Sequence, residues 1–352
     1  MNTHVSVKQA DAHMLIPAYP IYEGWSPQMS WAQTAMGNWQ PQQLLDCNAM
    51  HFHPGAMALQ FGASVFEGNK AYRHHDAQVH LFRLDEHYDR FKSSADRLCL
   101  SCPSRELFIH SIEQAAAHAD NWGHPFSSEW LYIRPVLVGL DDHILPVISQ
   151  EYAFYVLVAP IRTFNPPKLT LSVIRHQHRA TPGGLGAAKT AANYAHQFQA
   201  TQQEKSKGSD AVLWLSPLDG CTIEEASTMN IFFHMNDGSV ITPQLKDTIL
   251  AGITRRSVIE LLADRGVAVQ ERDVSIHQII DAAMSGLLKE AFVTSTALGV
   301  RTVDEMRLEQ RKLETSRDCQ LSSSLAQELE QVFAGYASKR KDWIRPLALR
   351  TK

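Results

Sequence analysis

Lys189 closes a glycine-rich run, Gly183-Gly184-Leu185-Gly186-Ala187-Ala188-Lys189, and Tyr194 follows five residues later. Beyond them stands Glu224-Glu225-Ala226-Ser227-Thr228-Met229-Asn230, whose beginning reads as a strand. An amine on a glycine loop can form a Schiff base, and a carboxylate can keep a pyridine nitrogen protonated. Those are the parts that pyridoxal phosphate needs to act as an electron sink. The same amine, once freed, can serve as a general base that moves a proton from a substrate Cα to the cofactor. A phosphate-binding P-loop is the competing reading, because 183–190 superficially matches G-x-x-x-x-G-K-[ST]. That motif needs glycine directly before the lysine so that the backbone can wrap the phosphates, and Ala188 stands there.

A phosphate needs fixed donors. Gly252-Ile253-Thr254 precedes a helical pattern, so its backbone N–H groups and the positive helix end suit a dianion, and Thr296 adds a hydroxyl. Tyr132 and Arg134 lie two apart on a strand and so share a face, presenting a hydroxyl and a guanidinium side by side. Glu224 and Glu225 are adjacent on an extended segment, face opposite ways, and only one of them can reach a ring.

These groups sit in an alternating pattern of strands and helices. Residues 69–73 and 78–82 read as a hairpin, 86–98 and 105–120 as helices, and 130–138 and 152–159 as strands joined by the loop 139–150. Proline density and lost periodicity over 160–168 mark an interdomain linker between a small N-terminal domain, 1–159, and a larger cofactor-binding domain, 169–352. Past the linker come a strand over 169–175, a helix over 191–207 closed by Gly208, and strands over 211–215 and 229–235. Asn236-Asp237-Gly238 is a hairpin turn, Thr254 opens a helix that Gly266 ends, and 322–337 forms a last helix.

With 352 residues and 44% apolar content the chain can bury a core, and at roughly 150 residues per domain two domains are expected. A formal charge of −4 provides no general basic surface for nucleic acid. No signal-type apolar core opens the chain and no stretch approaches ~18 uninterrupted apolar residues, so a cytoplasmic protein without membrane contact is expected. Five cysteines without a secretory signal argue against a disulfide framework, with Cys99-Leu100-Ser101-Cys102 a lone C-x-x-C. The histidine groups, including His51-Phe52-His53, His74-His75 and His176-Gln177-His178, lack structural-zinc spacing, and no metal is expected.

From about Trp31 to Trp343 the chain resembles the branched-chain aminotransferases of fold type IV. The resemblance rests on the runs above together with Gln60-Phe61-Gly62-Ala63-Ser64-Val65-Phe66-Glu67-Gly68, Leu131-Tyr132-Ile133-Arg134-Pro135-Val136, Leu250-Ala251-Gly252-Ile253-Thr254-Arg255 and Thr294-Ser295-Thr296-Ala297. It implies an α/β, two-domain, pyridoxal phosphate-dependent homodimer that exchanges an amino group between an L-amino acid and a 2-oxo acid by a ping-pong route. It implies that Lys189 carries the cofactor, that Glu225 rather than Glu224 meets the pyridine nitrogen, and that Tyr194 meets the phenolic oxygen. Arg90, Gly252, Ile253, Thr254 and Thr296 would hold the phosphate. Phe61, Phe66, Tyr132, Arg134, Thr228, Met229, Thr296 and Ala297 would border the substrate, and the loop 140–145 would reach the partner subunit's pocket. D-amino-acid transaminases and a lyase of the same fold remain rivals.

The chain also departs from the family pattern. Phe61 replaces a tyrosine, Ala191-Ala192 a glycine pair, Ala226-Ser227 a valine-glycine pair, Ser295 a glycine and Ala251 a proline. Altered specificity with intact catalysis is the expectation.

Overall fold

The computed structural model describes residues 21–22, 24–73, 79–120, 130–162, 168–309, 311–337 and 339–347. The N-terminal segment, the residues joining the first hairpin, and 163–167 of the expected linker lie outside these. Among the described residues the strands form two curled sheets, one of ten strands and one of nine. No helix among them is long and apolar enough to cross a membrane.

The first sheet is built on Trp130–Gly139 and Tyr152–Arg162, antiparallel and paired along their whole length from Trp130 opposite Ile161 to Gly139 opposite Tyr152. Asn69–Arg73 adds to one side and pairs onward with Val79–Phe82 as the expected hairpin, and Gln28–Ala35 adds to the other side. The helices Leu84–Arg97 and Arg105–Asp120 cover this sheet through Phe91 and Phe108, whose rings lie 5.1 Å apart, with Phe108 5.7 Å from Phe154 of the sheet. Tyr152–Arg162 overruns the boundary expected at 160. Pro160 stands opposite Leu131, and on its other edge it falls between the pairings with Gln28–Ala35 and Ile21–Tyr22, a position where proline's missing donor is tolerated.

The second sheet runs from Ile223–Ala226 through Ala211–Leu215, Leu169–Val173, Gly299–Leu308, Leu288–Ser295 and Asn230–Met235 to Val240–Pro243 and Val269–Arg272. Leu169–Val173 is parallel to both of its neighbours, and Ala211–Leu215 beside it is buried at every position, as expected for a strand covered on both faces. The single helix expected over 191–207 is two, Ala192–Ala195 and Phe198–Ser206. The Asn193 side-chain amide donates to the carbonyls of Leu185 and Ala188, which ties the first piece to the Lys189 loop instead of prolonging a regular helix. Gly208, at φ +86°, ends the second piece with paired bonds from Gly208 N–H to Lys205 O and from Ser209 N–H to Glu204 O.

The two sheets share packing. The stacked rings of Phe232 and Phe292 belong to an apolar cluster that extends to Phe82 and Trp343. The last strand, Ile344–Pro346, pairs with Val79–Phe82, so the C-terminus returns to the first sheet. Arg83 sits beneath Trp343 and reaches Ser257 at 3.0 Å and Glu260 at 2.9 Å on the helix Ile253–Asp264. One buried guanidinium thus links the start of the helix bearing Arg90 to the helix that begins at Ile253.

Candidate active site

Lys189 is held between the helix Leu84–Arg97 and the strand Ser64–Phe66 rather than on a free loop. Its N–H donates to Ser94 Oγ at 2.9 Å, its carbonyl accepts from Phe66 N–H at 3.0 Å, and the Thr190 hydroxyl donates to the Ser64 carbonyl at 2.7 Å. Upstream, the amides of Gly183, Gly184, Ala187 and Ala188 bond to Asp247, Thr181, Asp247 and Leu185. Amides committed in this way cannot cradle a nucleotide's phosphates, which removes the P-loop reading. The side chain enters a cavity of about 890 Å³, where Lys189 Nζ lies 3.1 Å from the Tyr194 hydroxyl and 4.8 Å from the centre of the Phe66 ring.

Glu225 lines the same cavity at 2% exposure. Its Oε1 accepts the Leu250 N–H at 2.6 Å and lies 3.4 Å from Asn230 Nδ2. Its Oε2 is 3.1 Å from Arg179 Nε, an ion pair without hydrogen-bond alignment. Burial pushes the Glu225 carboxyl up from its ordinary value, against the opposing pull of Arg179 and the Leu250 amide. Glu224 is also buried but does not line the cavity, so the alternation of the strand Ile223–Ala226 separates the two carboxylates as expected.

At another wall, Gly252 caps the helix Ile253–Asp264 with no side-chain partner, leaving the first N–H groups of that helix to the cavity. A Cβ at Gly252 would collide with Asn230 Oδ1, so glycine is needed for Asn230 to span Glu225 and the Leu250 carbonyl. Arg90 approaches the same corner and donates to the Ala251 carbonyl at 3.0 Å. Arg134 Nε and Nη2 donate to the Tyr132 hydroxyl at 3.0 and 2.7 Å, and the Arg134 guanidinium lies over Phe66 at 4.6 Å. Gly68 permits this, since a Cβ there would lie 2.5 Å from the Tyr132 oxygen.

Among the residues expected from sequence, Phe66, Arg90, Tyr132, Arg134, Lys189, Tyr194, Glu225, Thr228, Met229, Gly252, Ile253, Thr254, Thr296 and Ala297 all line this one cavity. Phe61 does not. It ends the short helix Met57–Phe61, 43% exposed, and the left-handed turn at Gly62 carries the chain away before Ser64 reaches the site. Phe61→Tyr is therefore expected to leave donor kcat/KM ratios within about twofold, the scale of an ordinary surface change. A larger change across a panel of amino acids would return Phe61 to the pocket.

Several groups escaped the sequence reading: Arg179 beside Glu225, Asn230 bridging Glu225 to the Leu250 carbonyl, Glu67 and His87 around Arg90, and an apolar wall that includes Trp25, Trp130, Tyr155, Leu157 and Ile161. Glu67 had one local signal, as the only charged residue in the block 60–68. Arg179 had none. At Ser227 the backbone adopts φ +51°, which explains why a glycine is usual there. The serine is accommodated because its Oγ accepts the Val212 N–H at 3.0 Å. Among the described residues, no three His, Cys, Asp or Glu side chains converge as metal ligands.

An amine beside a phenol, a buried carboxylate and an uncapped helix start with a guanidinium, all facing one cavity, form a donor set that fits pyridoxal phosphate. Comparison with known proteins agrees. The family described as amino-transferase class IV matches residues 64–306. Branched-chain-amino-acid aminotransferase 2 of Bacillus subtilis (strain 168) is 36% identical over 273 residues, 76% of this chain and 74% of that protein. A mitochondrial branched-chain amino acid aminotransferase of Humulus lupulus is 32% identical over 312 residues, covering 88% of this chain and 78% of its own. In fold, the branched-chain aminotransferase of Thermoproteus uzoniensis crystallised with norvaline superposes with a TM-score of 0.74 at 24% identity, over 90% of this chain and 99% of that one. The branched-chain amino acid aminotransferase of Thermobaculum terrenum in its PLP form also gives 0.74, at 19% identity, over 94% of this chain and 99% of that one. The chain belongs to the class IV aminotransferases.

Proposed function

We propose that the protein transfers the amino group of a branched-chain or related apolar L-amino acid to a 2-oxo acid such as 2-oxoglutarate, by a ping-pong route with pyridoxal phosphate. The observation that carries this is Lys189 Nζ at 3.1 Å from Tyr194, in one cavity with the buried Glu225. When bound, pyridoxal phosphate supplies the carbonyl carbon that takes up the amino group and a ring that accepts electron density. The remaining work belongs to side chains. Lys189 carries the cofactor, and its freed amine moves the proton at the substrate Cα. Tyr194 holds that amine by its hydroxyl and Phe66 limits its swing. Glu225 keeps a proton on the ring nitrogen. Ile253, Thr254 and Arg90 hold the phosphate, with the Thr296 hydroxyl beside them, while amides at Thr296-Ala297 hold the substrate carboxylate. Arg134, fixed by Tyr132, meets an acidic side chain of the second substrate. Phe66, Met229 and Thr228 border the side chain, and the apolar wall from Trp130 to Ile161 suits an alkyl group.

The reading includes two domains, divided near the linker with the C-terminal strand returning to the first, and a homodimer. Support for the dimer comes from the apolar residues left exposed in and beyond the 140–145 loop, Ile144 at 94%, Leu145 at 65% and Ile148 at 59%, a surface that a second copy would cover. The test is a panel of leucine, isoleucine, valine, glutamate, aromatic and D-amino acid donors with several 2-oxo acids. Highest kcat/KM is expected for L-branched-chain donors with 2-oxoglutarate. A clear preference for D-amino acids, or lyase activity without transamination, would replace the proposal.

A further inference from the structure

Glu67 has no exposed surface. Its Oε1 accepts from Arg90 Nε at 2.7 Å and its Oε2 from Arg90 Nη2 at 2.8 Å, a two-point grip that fixes the plane of the guanidinium. On the other side, His87 Nδ1 lies 2.8 Å from the same Oε2, and His87 precedes Arg90 by three positions on the helix Leu84–Arg97, where the two side chains share a face. Burial alone would raise the Glu67 carboxyl, but the guanidinium and the imidazole outweigh it and hold the group well below the usual carboxylate range. Burial pushes the His87 ring below its ordinary value, so the ring is neutral and donates its Nδ1–H to the carboxylate.

Arg90 therefore commits two N–H bonds to Glu67 and one to Ala251, three of the five that a guanidinium carries, and two remain for the cavity. Its charge is already compensated. It can offer an anion aimed donors but little excess positive charge.

We propose that Glu67 is a positioning residue for phosphate binding: backed by His87, it aims Arg90 across the cavity corner at the phosphate held by the helix start at Gly252-Ile253-Thr254. The inference rests on the reading of that corner as the phosphate site of pyridoxal phosphate. It carries a sign that separates aim from charge. If Arg90 worked as a bare cation, removing the opposing charge of Glu67 would strengthen its hold on a dianion. If Arg90 works by orientation, the same change weakens it.

The experiment measures equilibrium binding of pyridoxal phosphate and of unphosphorylated pyridoxal to the full-length protein stripped of cofactor, as wild type and as Glu67→Gln. The expected result is pyridoxal phosphate binding about tenfold weaker or more in the variant, the scale of a lost hydrogen bond to a charged group, with pyridoxal binding changed less than about twofold. Tighter or unchanged phosphate-dependent binding would overturn the inference, and so would equal losses for both ligands, which would mark a general packing role. If Glu67→Gln does not fold, His87→Leu, which removes only the imidazole donor to the carboxylate and leaves those of Arg90 and the Gly68 amide, is expected to give the same phosphate-selective loss at smaller amplitude. Failure of the wild type to bind pyridoxal phosphate would instead remove the reading of the site itself.

Discussion

Lys189→Ala is expected to lower transamination by on the order of 10⁴-fold or more, because one substitution removes both the covalent anchor and the base that acts at the substrate Cα. The backbone of the segment should survive. Its bonds to Ser94, Phe66 and Ser64 are made by main-chain groups and by the Thr190 hydroxyl, none of which the substitution touches. The variant is therefore expected to fold, with a melting temperature close to that of the wild type without cofactor, and to regain partial turnover when a small amine is supplied. Steady-state rates with and without added amine check this. A variant that turns over at a near-normal rate without added amine would show that Lys189 is not the base.

Glu225→Gln is expected to cost about 10²- to 10³-fold in kcat, the range seen when one preorganised electrostatic contact to a reacting system is lost. Glutamine keeps the shape and can still accept the Leu250 N–H, but it cannot hold a proton on a ring nitrogen. It also leaves Arg179 buried without its counter-charge, at 6% exposure, so some loss of stability accompanies the loss of rate. Glu224→Gln is the matched control, since Glu224 is buried but outside the cavity, and it is expected to move stability more than kcat. Steady-state kinetics paired with thermal melts separate the two effects. Equal kcat losses in the two variants would break the assignment of Glu225 to the ring.

The parts of the site that could be read from sequence are those whose geometry is local. Lys189 and Tyr194 are five positions apart, Tyr132 and Arg134 share a strand face by alternation, and Gly252-Ile253-Thr254 announces a helix start. The regular helices and the hairpin around Asn236-Asp237-Gly238 were legible for the same reason. What could not be read are partners brought together across long separations. Glu67 meets Arg90 from another element, and Arg179 meets Glu225 only because the second sheet folds as it does. Periodicity carries no record of either pair. Two errors came from local rules overridden by tertiary contacts. Pro160 reads as a breaker yet continues a strand, and Asn193 diverts a helix by bonding back to the Lys189 loop. The resemblance points Phe61 towards the substrate, whereas beside the left-handed turn at Gly62 it is 43% exposed and outside the cavity.

The most direct test of the account is to load the protein with pyridoxal phosphate, reduce it with borohydride, digest it and locate the modified residue by mass spectrometry. A single pyridoxyl-phosphate adduct on Lys189 is the result expected from its place against Tyr194 in the cavity shared with Glu225. An adduct on another lysine, or no adduct in protein that has taken up the cofactor, would contradict the central assignment.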